Sequence, residues 1–120
     1  MLLEIAKYLE DVRQACVEIS AYIEGVNFDE YLADGMRLAA VERKLEIIGE
    51  ALSQARKIDA SIDQSIRDLR QIIAFRNIPV HSYASINHKT VWGVLESDMP
   101  FLRQQVESLL ASFKPNEPSS

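Results

Sequence analysis

Between residues 76 and 83 the chain reads Arg-Asn-Ile-Pro-Val-His-Ser-Tyr, a run that sets a cation, an imidazole and a phenol within eight positions. Arg76 carries a permanently charged planar fork suited to gripping phosphate, and His81 has the side chain whose proton moves most easily near neutral pH. Together they form a minimal kit for phosphodiester chemistry. Arg-x-x-x-x-His alone arises by chance in roughly one chain in eight of this length on average composition. Requiring a tyrosine two residues after the histidine, here Tyr83, makes the pattern about thirty-fold rarer.

The pair needs a scaffold that brings it to one cleft. In a straight helix, residues five apart lie about 140° apart around the axis. Pro79 removes a backbone donor and clashes with the preceding turn. The helix carrying Arg76 is therefore expected to end or kink before His81, which turns the two side chains toward each other. Arg76 also falls on the apolar stripe of Ile62, Ile66, Leu69 and Ile73, where a guanidinium replaces a seam residue. The alternative for Arg76 alone is a side chain snorkelling from a helix end.

The rest of the chain reads as an all-α bundle. Leu2, Ile5, Leu9, Val12, Cys16, Ile19, Ile23 and Val26 alternate spacings of three and four, the stripe of one long helix. Residues 27–35 read as a connector holding at most a short turn of helix. A second long helix starts near Met36 and repeats the stripe with Leu38, Val41, Leu45, Ile48, Leu52 and Ala55. Gly49 interrupts it at a cost of about 1 kcal/mol relative to alanine, which calls for close approach of another helix, in this chain or a partner. Asp59-Ala60-Ser61 ends that helix and offers a cap to a third long helix, which starts at Ile62 and reaches Arg76. A last helix begins around Asn87, runs through Val91, Leu95, Leu102, Val106, Leu109 and Phe113, and should bend at Pro100. The expectation is an up-and-down bundle of four long helices with room for a short fifth, one domain over residues 1–113 and a disordered tail over 114–120.

Composition narrows the function classes. A chain of 120 residues fits one domain. Its net charge of −5 argues against a surface dedicated to generic nucleic-acid binding, so any RNA contact must come from a local patch. Cys16 is the single cysteine, which excludes an internal disulfide and suits a reducing cytoplasm. No apolar run approaches membrane-spanning length, and the start Met1-Leu2-Leu3-Glu4 lacks the basic region of a signal peptide. Glu42, Glu46 and Glu50 form an i, i+4, i+8 row. It reads as a solvated face rather than a metal site, because di-iron bundles pair such rows with Glu-x-x-His. Neither a metal nor another cofactor is expected. Trp92 adjoins the last apolar stripe and reads as a core or interface aromatic rather than a base-stacking platform, and His88 as a surface residue.

The chain resembles the HEPN superfamily in its HepT-like toxin branch. The resemblance rests on the first helix ending Tyr22-Ile23-Glu24-Gly25-Val26, on Leu45-Glu46-Ile47-Ile48-Gly49-Glu50-Ala51, on the run Arg76 to Tyr83, and on Val91-Trp92 with Asp98-Met99-Pro100. It implies a homodimer with two copies of the motif in a shared groove, acting as a metal-independent endoribonuclease on RNA, with tRNA and mRNA both open as substrates. It assigns Arg76 and His81 to catalysis and matches Asn77 to the residue that often follows the motif arginine. It also implies a toxin-antitoxin pair in which a minimal nucleotidyltransferase antitoxin transfers AMP to Tyr83; the other role open to Tyr83, as to Asn77, is support, with its ring packed at the groove edge to orient His81. Pro79 departs from the helix-compatible residue many relatives carry there. The reading from a different class is a catalytically silent helical module whose groove holds a nucleotide or the nucleotidyltransferase. Fold does not by itself choose between the two.

Overall fold

The computed structural model describes residues 3–67 and 87–112, and everything structural below refers to these. Helix α1 spans Leu3–Ile23, and the stripe expected along it is buried: Ile5, Leu9, Val12, Cys16 and Ile19 all lie in the core. Gly25, at φ 72°, follows the end of α1 in the left-handed conformation that glycine adopts at no steric cost. Helix α3, Gly35–Ile58, buries Val41, Leu45, Ile48, Leu52 and Ala55. These two helices pack side by side and make the largest helix–helix contact among the described residues. Gly49 is buried within the single chain. Its lack of a side chain therefore does not call for a partner subunit.

The connector is more ordered than its sequence suggested. Residues Phe28–Ala33 form helix α2, started by a reciprocal capping box in which Asn27 accepts from the Glu30 N–H at 2.8 Å and Glu30 accepts from the Asn27 N–H at 3.0 Å. Tyr31 on α2 is fully buried, against Trp92 at a ring-centroid distance of 4.9 Å. Asp34 then caps α3 by accepting from the Arg37 N–H at 3.1 Å. Arg37 donates back to the Tyr22 carbonyl at 2.8 Å, which ties the end of α1 to the start of α3. A Lys44–Glu18 ion pair joins the same two helices further along.

The third helix does not begin as one long run. Helix α4 covers only Ile62–Ser65, and Ile66 leaves it in an extended conformation at φ −119°, ψ 113°. The periodicity carried through Ile66 because that residue is buried like its neighbours, at 1 % exposure. Burial at the right spacing does not require the same helix on both sides. Ser61 offers no side-chain cap to α4. Its N–H and hydroxyl both donate to Asp59, at 2.9 and 2.7 Å, in a local turn that competes with capping. The third helix beyond residue 67, Phe113 and the tail 114–120 lie outside the described residues.

Helix α5, His88–Gly93, opens with Asn87 accepting from the Thr90 N–H at 3.1 Å, as its sequence predicts. A π turn over Val94–Asp98 follows, and α6 continues over Met99–Ser112. The π turn has a cause in Pro100, which brings no N–H to the ladder and whose ring clashes with a carbonyl of the preceding turn. Widening that turn lets the Met99 N–H reach back to Val94, a step of five residues, just before the proline. Val91, Leu95, Met99, Leu102 and Val106 are buried in the same core, where the helix over Met99–Ser112 packs against α1. Three of the expected long helical runs are thus in place, and no strand occurs among the described residues.

Candidate functional site

Arg76, Asn77, His81 and Tyr83 lie outside the described residues, as does Pro79. The structure neither brings the sequence-predicted site residues together nor parts them. It does show how the chain enters and leaves the segment that carries them.

The entry is held at three points. Arg56 near the end of α3 pairs with Asp63 on α4 at 2.9 Å. Ile62 and Ile66 bury their side chains in the core. Gln105 on α6 then grips the backbone on both sides of Ile66, accepting from the Arg67 N–H and donating to the Ser65 carbonyl, each at 3.2 Å. One turn earlier on α6, Phe101 has the Arg67 guanidinium over its ring at 5.4 Å, within cation–π range. At the exit, the Asn87 cap starts α5. Trp92 fixes that helix by packing on Tyr31 and on Phe28, at 6.1 Å to the latter. Trp92 is therefore half-buried and packed against the core, one of the two places expected for it. Entry and exit are both anchored on the helical run 88–112.

Along the sequence, charge of the sign that attracts a polyanion gathers around the motif. Arg67, Arg70, Arg76 and Lys89 against the single acid Asp68 make the stretch 67–90 net +3, in a chain of net −5. Elsewhere an open groove of about 440 Å³ between α1 and α3 is lined by Tyr8, Asp11, Arg43, Glu46, Ile47, Glu50 and Ala51. Its three acids outnumber its one arginine, an arrangement that repels a phosphate backbone.

Within the glutamate row, Glu46 pairs with Arg43 at 3.4 Å and Glu50 accepts from Gln54 at 2.9 Å. Among the described residues, no three His, Cys, Asp or Glu side chains converge as a metal-ligand set. Cys16 is buried, and burial pushes its thiol up to about 12, so it holds no thiolate at neutral pH. His88 is half-buried at the first position of α5. Sequence reasoning passed over Tyr31. Its hydroxyl and Glu42 Oε1 are buried without a hydrogen-bond partner. Burial first, and then the Glu42 charge, push the Tyr31 phenol up to about 12. Sequence reasoning also missed Gln105, because nothing local marks a side chain that bonds 40 residues away.

Comparison with known proteins gives this scaffold its family. The family model of HepT-like ribonucleases matches residues 12–109, and the chain belongs to that family, within the HEPN superfamily. A candidate RNase of Caldanaerobacter subterraneus subsp. tengcongensis is 29% identical over 107 residues, which cover 89% of this chain and 95% of that protein. A candidate RNase of Methanocaldococcus jannaschii is 26% identical over 106 residues, 87% of this chain and 94% of its own length. A candidate ribonuclease HepT of Thermococcus cleftensis is 29% identical over 102 residues, 85% and 92% of the two chains. No solved structure matches the chain significantly. Ribonuclease activity is the family-level assignment. No helix among the described residues is long and apolar enough to cross a membrane.

Proposed function

We propose that this protein is a metal-independent endoribonuclease toxin, active as a homodimer, with Arg76 and His81 from both copies facing a shared groove. The observation that carries the reading is the run from Arg76 to Tyr83, which falls whole within the matched residues 12–109. The local charge of the stretch around it supports an RNA substrate, with tRNA and mRNA as the candidates.

RNA supplies its own nucleophile. The 2′-oxygen attacks the adjacent phosphorus, the bond to the 5′-oxygen breaks, and a 2′,3′-cyclic phosphate is left. His81 takes the 2′-hydroxyl proton, and His81 of the second copy gives a proton to the leaving 5′-oxygen. Arg76 donates hydrogen bonds that strengthen as negative charge builds on the phosphorane oxygens. Asn77 supports the orientation of the pair. Tyr83 is the site at which a minimal nucleotidyltransferase antitoxin attaches AMP. The added phosphodiester competes with substrate for the Arg76 fork and repels the RNA backbone.

The test is RNA cleavage in EDTA by the wild type, by His81→Ala and by Arg76→Ala. Each variant is expected to lose roughly a hundredfold or more in rate. Full activity in either removes that residue from the mechanism, and loss of wild-type activity in EDTA removes metal independence. Tyr83→Phe is expected to cleave RNA yet escape silencing by the nucleotidyltransferase with ATP. An AMP adduct on that variant, seen by intact mass, would place the modification elsewhere. Sedimentation as a monomer at micromolar concentration would end the shared groove.

A further inference from the structure

We infer that Gln105 is a positioning residue for the ribonuclease, holding the start of the segment that carries Arg76 and His81 against α6. The inference rests on the function proposed above.

The geometry at residues 65–67 is a backbone clasp. Ile66 is extended, so its neighbours' polar groups, the Ser65 carbonyl and the Arg67 N–H, are offered on one side. A side-chain amide carries an acceptor and a donor about as far apart as those of a peptide group. Gln105 uses both, receiving the Arg67 N–H and giving a hydrogen to the Ser65 carbonyl. It therefore pairs with Ile66 as a neighbouring strand would. Glutamate has no hydrogen to give the Ser65 carbonyl, and alanine reaches neither group.

Two further contacts give the clasp a fixed position. Ile66, between the two bonded groups, is buried at 1 % exposure, so the backbone cannot slide along α6 without lifting that side chain from the core. Phe101 lies four residues before Gln105 and so on the same face of α6, where it holds the Arg67 side chain through its ring. The clasp joins positions 38 and 40 residues apart in sequence. It closes the last described turn before the motif, nine residues ahead of Arg76. A bond network that contributes little to the core yet fixes where a reactive segment starts is expected to act on rate. A displacement of about 1 Å at reacting groups can cost a hundredfold.

Steady-state RNA cleavage by wild type, Gln105→Ala and Gln105→Glu tests the inference, with Gln14→Ala as the control. Gln14 is an exposed glutamine whose bond to Glu18 stays within α1. Gln105→Ala and Gln105→Glu are each expected to lower kcat roughly tenfold or more, with KM within about twofold and a displaced pH optimum for kcat. Their amide exchange at Arg67 should quicken, while the thermal midpoint moves by no more than a few degrees (about 1 kcal/mol). Wild-type kcat in Gln105→Ala, or an equal loss in Gln14→Ala, overturns the positioning role while leaving the proposed function standing. If Gln105→Ala does not fold, wild-type kcat in Gln105→Glu overturns it in the same way. A wild type that cleaves no RNA overturns the proposed function itself, and the positioning role falls with it.

Discussion

The α1–α3 pair and the stretch that runs from Asp59 to Arg67 are held by different physics. Between α1 and α3, the side chains of Leu9, Val12, Cys16, Leu45, Ile48 and Leu52 recur at helical spacing and are almost wholly removed from water. No Asp, Glu, Lys, Arg or His side chain is buried there or elsewhere among the described residues. From Asp59 to Arg67 two buried side chains, Ile62 and Ile66, are joined by single polar contacts: the Asp59–Ser61 turn, the Arg56–Asp63 pair and the Gln105 clasp. Burial of apolar surface is proportional to area and indifferent to direction. Hydrogen bonds are directional and individually worth about 1 kcal/mol. The first region thus carries most of the stability, and the second sets where the motif-bearing segment begins. This division suits an enzyme whose reactive residues must be aimed more accurately than a packed stripe alone can aim them.

Three measurements of stability would break or sharpen that contrast. Leu52→Ala removes a fully buried side chain from the centre of α3 and should cost about 2–5 kcal/mol in urea unfolding. A loss below about 1 kcal/mol would mean that the α1–α3 seam collapses around the cavity and does not dominate stability.

The next effect is alkaline. Burial holds the Cys16 thiol protonated until about 12, against an ordinary value of 9.0. Above that ordinary value the unfolded thiol releases its proton while the folded one keeps it, so the unfolded state binds fewer protons and stability falls with rising pH. The contribution is fully present below the unfolded value and is lost progressively between pH 9 and about 12. The loss by pH 10 is on the order of 1 kcal/mol. Tyr31 adds to the same fall at slightly higher pH, since burial lifts its phenol from 10.0 to about 12. Cys16→Ala should flatten the decline between pH 9 and 10 relative to the wild type. An unchanged slope would show that the thiol reaches water in the native state.

The smallest effect belongs to the clasp. Gln105→Ala should reduce unfolding stability by about 1 kcal/mol or less, because both bonds lie at an exposed edge. A loss comparable with that of Leu52→Ala would erase the distinction between a stabilising region and an aiming one.

Much of the fold was legible because helix burial is periodic. The stripes of α1 and α3 and the Asn87 cap follow from residue types at local spacings, and their positions agree with the structure. The family followed from a short run of chemistry-bearing residues together with the segments around it. The same periodicity misled at Ile66, where a buried side chain at the right spacing belongs to an extended residue.

What the sequence by itself determined is the apolar stripes of α1, α3 and the run 88–112 together with the caps at Asp34 and Asn87, because apolar spacing and capping act within a few residues of themselves. Only the tertiary structure decided that Tyr31 is sealed under Trp92, that a π turn absorbs Pro100, and that Gln105 clasps the backbone of Ser65 and Arg67. The burial and the clasp join residues far apart along the chain, and such contacts are set by packing geometry that leaves no periodic trace. The π turn is local, but a proline alone does not choose between a break, a kink and a widened turn. Packing on both sides of Pro100 makes that choice, since Leu95 and Met99 before it and Leu102 after it must all reach the core.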